Sequence, residues 1–385
     1  MTKAMFTGSF DPVTKGHIDI VKRLSKMYDS VVVVIAENPE KKYMFSPELR
    51  KQFIEYQIPY GITNVSVDIV SGLVADYALS NGVNVIVKGT RNMGDYTVES
   101  TMADYNRDLG IETVFMPCSE TFRSVSSSGV KVMIKEFVDI SWYVSLQVKH
   151  NLEYRNGFIP IGIVGNTGSG KSTVTKKLVD LLRSNHFQAE SIDLDKMVHD
   201  LYDGRIHGGF SIRIKEELTK TFGESVVVDG KVDRKALGDI VFTNASNLVK
   251  LNEIMKPAIR FALRYRIKEL VNGRSLSSSP IFILLDAPIL AENGSLSLVN
   301  NNVIHVKSDR DICIQRIMER DGITLEKATR RYDAQTPPTI RDVFIQKEID
   351  DTGYGALLTL DGTDDAPYGQ FIYESLLKMG MPNND

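Results

Sequence analysis

The chain has 385 residues, long for one domain and sufficient for two that each bury their own core. Its 46 basic and 49 acidic residues leave a net charge of −3, which argues against a general role on nucleic acid or at a membrane surface. The two cysteines, Cys118 and Cys313, lie far apart without His or Cys neighbours at ligand spacing, which speaks against a disulfide scaffold or a zinc site and fits a reducing cytoplasm. No secretory leader is expected, because Gly8-Ser9-Phe10-Asp11-Pro12 arrives before any apolar segment develops. The strongest apolar runs, Val31 to Ala36 and Ile281 to Leu285, are strand-sized and too short to span a bilayer.

Strand and helix patterns alternate from the start. Lys3 to Thr7 reads as a strand. His17 to Tyr28 reads as a helix, with Ile18, Val21, Leu24 and Met27 on one side. Ser30 to Ala36 is β-branched enough for a strand buried on both faces. Ser46-Pro47 predicts a helix start, with Ser as N-cap and Pro at the first helical position. Val65 to Val70, Leu73 to Asn81 and Val83 to Val87 continue the alternation. The expected fold class is α/β, a doubly wound parallel sheet with ligands at the strand C-terminal ends.

The chemistry is expected at those ends. In Gly8 to His17 the glycines let the backbone approach a phosphate. His17 falls at a helix N-terminus, where free N–H groups and the dipole favour anions. A His there can donate to an α-phosphate oxygen as charge builds. Lys41, Lys88 and Arg91 each lie just past a predicted strand, an arrangement suited to a phosphate clamp.

Together with Lys41-Lys42-Tyr43-Met44-Phe45, Lys88-Gly89-Thr90-Arg91, the Asp95 to Glu99 stretch and Ser124-Val125-Ser126-Ser127-Ser128, these residues make 1 to 155 resemble the bacterial phosphopantetheine adenylyltransferases. The resemblance implies that Ser9, Lys41, Val74 and Lys88 face phosphopantetheine. It places Phe10, His17, Gly89, Thr90, Arg91, Glu99 and residues 122 to 128, among them Ser126, Ser127 and Ser128, in the ATP site. Ser9 stands where that family carries Thr and keeps the hydroxyl; Lys88 stands for Arg and loses the bidentate fork. Thr14, where cytidine-handling relatives carry His, disfavours that alternative. The implied reaction is direct displacement at the α-phosphorus of ATP, with Mg²⁺ assisting the pyrophosphate.

Val138 to Tyr154 is expected to be helical. Asn156-Gly157 then turns the chain, so the expected domains are 1–155 and 156–385. Phe158 to Val164, Gly165-Asn166-Thr167-Gly168-Ser169-Gly170-Lys171-Ser172 and the helical spacing of Thr173 to Leu182 supply the strand, loop and helix of a phosphate-binding loop. Lys171 is placed to reach β- and γ-oxygens, the loop amides to cradle phosphates, and Ser172 to hold Mg²⁺. Asp193-Leu194-Asp195 follows a strand over Ala189 to Ile192. Either carboxylate can orient a hydroxyl or bind metal, or act as an N-cap. Phe282 to Asp286 reads as a buried strand ending in a carboxylate. Arg316 and Arg320 share a face of a helix from Asp309 to Arg320. Arg330 and Arg331 precede Gln335-Thr336-Pro337-Pro338, expected to be a lid.

With Asp233-Arg234-Lys235-Ala236-Leu237, Val241-Phe242-Thr243-Asn244 and Leu285 to Asn293 in order, this half resembles the dephospho-coenzyme A kinases. Lys256-Pro257 stands for that family's His-Pro, and Asp286 to Leu290 departs from its apolar Pro-Leu-Leu. The resemblance implies a second doubly wound P-loop domain in which Asp195, or else Asp193, activates a ribose 3′-hydroxyl. The two resemblances together imply the last two steps of coenzyme A synthesis. ATP would be the co-substrate and the other partners small molecules; the oligomeric state stays open, and a homo-oligomer is suggested only by the first family being commonly hexameric. A nucleotidyltransferase fused to a nucleoside kinase, or a nucleotide-sensing scaffold, are the alternatives.

Overall fold

The computed structural model describes residues 2–382 apart from 92, 206–207, 242–244, 274–278, 289 and 364–367, with side-chain surroundings for all of these but 95, 98, 101, 208, 245 and 248. Phe242-Thr243-Asn244, the middle of the serine loop before Pro280, and the Asp95 side chain therefore lie outside the described residues. The described chain forms two compact units, one of residues 2–135 and 140–151, the other of 136–139 and 152–382.

In the first unit, β1 (Lys3–Gly8), β2 (Ser30–Glu37), β3 (Val65–Ser71), β4 (Val85–Thr90) and β5 (Glu112–Pro117) form a parallel sheet in the order β3-β2-β1-β4-β5. The strand order reverses between β1 and β4, which opens a crevice at their C-terminal ends. The helices are α1 (Lys15–Met27), α2 (Pro47–Gln57), α3 (Val74–Ser80), α4 (Met93–Asp108), α5 (Ser127–Lys135) and, as far as Asn151, α6 (Leu146–Arg155). β2 buries Val31 to Ile35 without interruption, as a strand covered on both faces must. α2 starts as its sequence predicts: Ser46 Oγ accepts the Leu49 amide at 3.2 Å and Pro47 takes the first helical position.

Two expectations are corrected. β4 does not end at Val87 but runs through Lys88, Gly89 and Thr90, so Lys88 lies within the strand rather than past it. The reason is β5, whose Phe115, Met116 and Pro117 stand opposite those residues and extend the ladder. Helix over 138–154 is confined to α6. Ahead of it the chain turns, with Tyr143 N donating to the Ile140 carbonyl at 2.9 Å and the Lys15 amide capturing the Tyr143 carbonyl at 2.9 Å.

In the second unit, β6 (Phe158–Val164), β7 (Ala189–Asp193), β10 (Ile281–Asp286), β11 (Asn302–Lys307) and β12 (Ala356–Asp361) form a parallel sheet in the order β12-β11-β6-β10-β7, and β8 (Val227–Val228) pairs antiparallel with β9 (Lys231–Val232). The helices are α7 (Lys171–Ser184), α8 (Leu194–Tyr202), α9 (Gly208–Phe222), α10 (Arg234–Val241), α11 (Ala245–Asn272), α12 (Arg310–Asp321), α13 (Leu325–Asp333), α14 (Pro338–Thr352) and α15 (Gln370–Gly380). β6 is buried along its whole length. Its Ile159, Ile161 and Ile163 pack with Leu178 and Leu182 of α7 and Leu376 of α15, so the loop that follows β6 springs from the rigid centre of the sheet. Among the described residues no helix is long and apolar enough to cross a membrane.

Candidate active sites

The C-terminal ends of β1, β4 and β5 open on a cleft of about 840 Å³. Ser9, His17, Lys41, Gly89, Arg91, Glu99, Ser126, Ser127 and Ser128 line it together. Phe10, Val74, Lys88 and Thr90 are not among its lining residues. Phe10 is buried against the His17 ring, edge to face with centres 5.1 Å apart. Lys88 pairs with Glu99 at 2.9 Å, the Thr90 carbonyl accepts the Cys118 amide at 2.9 Å, and Val74 opens α3.

His17 is the third residue of α1. Its Nδ1 lies 3.0 Å from both the Thr14 amide nitrogen and Thr14 Oγ1. A backbone amide can only donate, so Nδ1 carries no proton, and in the neutral ring the proton sits on Nε2. Burial, in the company of Phe6 and Phe10, and then the charge of Arg91 push the pKa down to about 4. The cleft is therefore supplied with a neutral N–H donor whose tautomer is fixed by α1 itself.

Two supporting groups escape a reading of motifs. Arg50 of α2 is fully buried. Its Nη1 donates to the Ser9 carbonyl at 2.8 Å, Nη2 pairs with Glu37 at 2.5 Å, Nε donates to the Ser46 carbonyl at 3.3 Å, and the Tyr43 ring centre lies 4.2 Å from the guanidinium carbon. Asp11 accepts the Met44 and Phe45 amides at 2.8 and 3.1 Å and pairs with Lys131, another lining residue. Together they tie the segment carrying Lys41 to Ser9. A signal for Arg50 does exist: it is a charge on the helix face that buries Leu49, Phe53 and Ile54.

In the second unit the loop after β6 closes on the N-terminus of α7. Gly168 and Gly170 have φ of 83° and 89°, and a Cβ on them would stand 2.4 Å from the Cys313 carbonyl oxygen and 2.5 Å from that of Gly362. Only glycine fits there. Lys171 Nζ donates to the Gly165 and Asn166 carbonyls at 2.9 and 3.2 Å, and Ser169 N donates to the Asn166 carbonyl at 3.1 Å. Arg316 of α12 donates to the Gly168 and Gly362 carbonyls, each at 3.2 Å. The Thr167 amide donates to Gln335 Oε1 at 2.8 Å, and Asn166 Oδ1 accepts from Arg341, a contact unmarked by any motif. Ser172 and Thr173 follow in the first turn of α7.

The structure separates the two aspartates. Asp193 is the N-cap of α8 and accepts the Lys196 amide at 2.9 Å. With Ser172 and Asp286 it lines a pocket of about 330 Å³. Asp195, two residues on, lines a smaller pocket of about 90 Å³ with Asn252, Lys256 and Arg260 of α11 and Asn293. Burial, reinforced by Asp193, raises the Asp195 pKa. Burial raises Asp286 to about 6, with Lys171 opposing and the two other aspartates adding to the shift. Burial lowers Lys171, and Asp286 opposes that change. Of the residues expected in a lid, Gln335 touches the loop, whereas Arg330 and Arg331 are exposed and paired with Glu326 and Asp321. Arg320 donates through Nε and Nη2 to Asp321, at 2.8 and 3.0 Å.

The donors fit Mg²⁺. Ser172, Asp193 and Asp286 offer hard oxygens in one pocket, and Asp286 Oδ1 is buried without a hydrogen-bond partner among the described residues. No cluster of three His, Cys, Asp or Glu stands ready as a metal centre among those residues. Such a set suits an ion that takes most of its ligands from phosphate and water.

The family model described as dephospho-CoA kinase matches residues 159–352, and one described as cytidylyltransferase-like matches 5–133. A phosphopantetheine adenylyltransferase of Alkaliphilus metalliredigens is 44% identical over 146 residues, covering 37% of this chain and 92% of that protein. One from Thermotoga neapolitana is 40% identical over 151 residues, covering 39% and 93% respectively.

Proposed function

The chain belongs to the phosphopantetheine adenylyltransferase family in its N-terminal part and to the dephospho-CoA kinase family in its C-terminal part, and from that membership we infer how its residues divide the work. It is a bifunctional transferase for the last two steps of coenzyme A synthesis. In the first step a phosphate oxygen of 4′-phosphopantetheine attacks the α-phosphorus of ATP, pyrophosphate leaves, and dephospho-coenzyme A forms. In the second, the ribose 3′-oxygen attacks the γ-phosphorus of a second ATP, and coenzyme A and ADP form. The functional boundary falls between residues 155 and 156.

For the first step, His17 Nε2–H donates to a non-bridging α-phosphate oxygen, where charge develops. Lys41 and Arg91 hold the reacting phosphates, Ser9 meets phosphopantetheine, and Gly89, Glu99 and Ser126 to Ser128 receive the nucleotide. Orientation and charge stabilisation suffice, without a side-chain nucleophile. For the second step, the amides of Asn166, Gly168 and Gly170 and the ammonium of Lys171 take the phosphates, the Thr167 and Ser169 amides being held by Gln335 and the Asn166 carbonyl, and Arg316 braces the loop that presents them. Asp195 takes the proton of the 3′-hydroxyl; its raised pKa makes it a better base than an exposed carboxylate. Asp193, engaged as a cap, is the less suitable of the pair. Ser172 and Asp286 would hold Mg²⁺, which when bound neutralises charge on the β- and γ-oxygens.

The observation that carries the assignment is a cleft at the strand ends of one unit and a glycine-rich loop before a helix in the other, each inside the stretch matched by its own family model. The purified chain, given 4′-phosphopantetheine, ATP and Mg²⁺, is expected to release pyrophosphate and then accumulate coenzyme A and ADP. Phosphorylation of nucleosides but not of dephospho-coenzyme A would overturn the second assignment.

A further inference from the structure

We propose that Arg341 is a positioning residue that sets the phosphate loop in register with the wall of the acceptor pocket; the proposal rests on the kinase reading of that site. Arg341 lies in the first turn of α14 and is only 2% exposed. Its guanidinium is shared between two places. Nη1 donates to Asn166 Oδ1 in the phosphate loop. Nε and Nη2 each lie 2.8 Å from Glu292 Oε1.

Each end leads directly to a reacting partner's seat. The carbonyl of Asn166 accepts Lys171 Nζ, so the residue that Arg341 grips belongs to the bonding that places the loop lysine. Glu292 stands between Leu290 and Asn293, both of which line the pocket that holds Asp195. Asn293 in turn accepts from Asn252 of α11 at 3.0 Å. One planar fork thus joins donor loop and acceptor wall. Arg341 lines neither the Asp195 pocket nor that of Ser172, which makes it a positioning rather than a catalytic residue.

Stability alone gives a poor reason for this group. A guanidinium is costly to bury, and an apolar side chain of similar volume would fill the space without that cost. What the fork supplies is direction, because two edges of a rigid plane fix two partners at a set separation. The first turn of α14 is anchored independently: Asp342 pairs with Lys307 and His305 of β11. In-line transfer needs attacking oxygen and phosphorus within about 3.5 Å, and a misplacement of about 1 Å costs about 10²-fold.

The test uses the full chain and follows both reactions. Arg341→Met is expected to lower kcat for the kinase step about 10²-fold, change the KM of ATP and of dephospho-coenzyme A by less than about threefold, and leave adenylyl transfer unchanged. Arg341→Lys should recover only part of the loss, since a point charge cannot serve both partners. Glu292→Gln should lower kcat in the wild-type background and add nothing to Arg341→Met. Wild-type kcat in Arg341→Met, a rise confined to the KM of ATP, or additive effects of the Glu292 and Arg341 changes would overturn the proposal. If Arg341→Met does not fold, the pair Asn166→Ala and Glu292→Gln decides, with non-additive losses expected and additive ones refuting. Should the wild-type chain phosphorylate a different acceptor, the kinase reading fails, and the same cycle measured on that acceptor judges Arg341 separately.

Discussion

The state of His17 can be tested by pH and by removing the ring. Its pKa of about 4, against an ordinary 6.5, means that burial and the Arg91 charge together favour the neutral ring by about 3 kcal/mol and that about one molecule in 10³ is protonated at pH 7. If the neutral Nε2–H acts as donor, kcat for adenylyl transfer should show no step attributable to this ring between pH 5 and 9. Removing the donor by His17→Ala should cost about 10²- to 10³-fold or more in kcat. The same depression has a stability consequence. The unfolded chain takes up a proton from pH 6.5 downward while the folded one does not. The contribution is therefore fully present above pH 6.5 and is lost as pH falls to about 4. Nitrogen-detected NMR of the ring, urea unfolding across that window, and steady-state pyrophosphate release check the three statements. A ring that titrates near 6.5, or whose Nδ1 carries the proton in the neutral form, would refute the reasoning.

Lys171→Met should abolish the kinase step and spare adenylyl transfer, the reverse of His17→Ala, as coupled and separate assays of the two products will show. Asp286→Asn should stabilise the nucleotide-free second unit at pH 8, by at most about 3 kcal/mol. The folded protein holds this carboxyl at about 6, and the gain should vanish as pH falls from 6 towards 4; equal effects in urea at pH 8 and pH 4.5 would contradict this. Arg50→Met leaves Glu37 and the Ser9 carbonyl without their partner. Unfolding should ease by about 3 kcal/mol, and the KM for phosphopantetheine should rise as the Lys41 segment loosens. Gly168→Ala forces a Cβ against the Cys313 carbonyl and should remove kinase activity, with ATP binding by calorimetry lost in parallel.

Features written into neighbouring residues were legible in the sequence. β2 announces itself by Val31 to Ile35, α2 by Ser46-Pro47, and the phosphate loop by glycines whose φ values no other residue tolerates well. β5 was not legible. It is an edge strand paired only with β4, its burial is patchy, and what defines it is a partner distant in sequence. The segment before α6 misled for a different reason. Ile140 and Val144 have helical spacing and are both fully buried, but a turn brings them there. Within the sites, motif residues converge, while their supports are long-range pairs. Arg341 and Asn166 stand 175 positions apart, and Asp11 and Lys131 stand 120 apart; such partners leave no local pattern to read.

The two sites use their helix N-termini differently. α7 begins after Gly170, which has no side chain to cap it, and no acidic residue occupies its first turn, so its leading amides point to a ligand for their partners. α1 also lacks an acidic first turn, but the Thr14 amide is already given to His17. Its helix start therefore acts through the imidazole, fixing the tautomer and leaving Nε2–H to the cleft. The contrast matches the two reactions. Transfer of a γ-phosphoryl group spreads charge over several terminal oxygens, which a ring of amides and a lysine can meet together. Attack at an α-phosphorus concentrates the change on fewer oxygens between two large substrates, where one directed neutral donor adds no charge of its own for the buried floor to solvate.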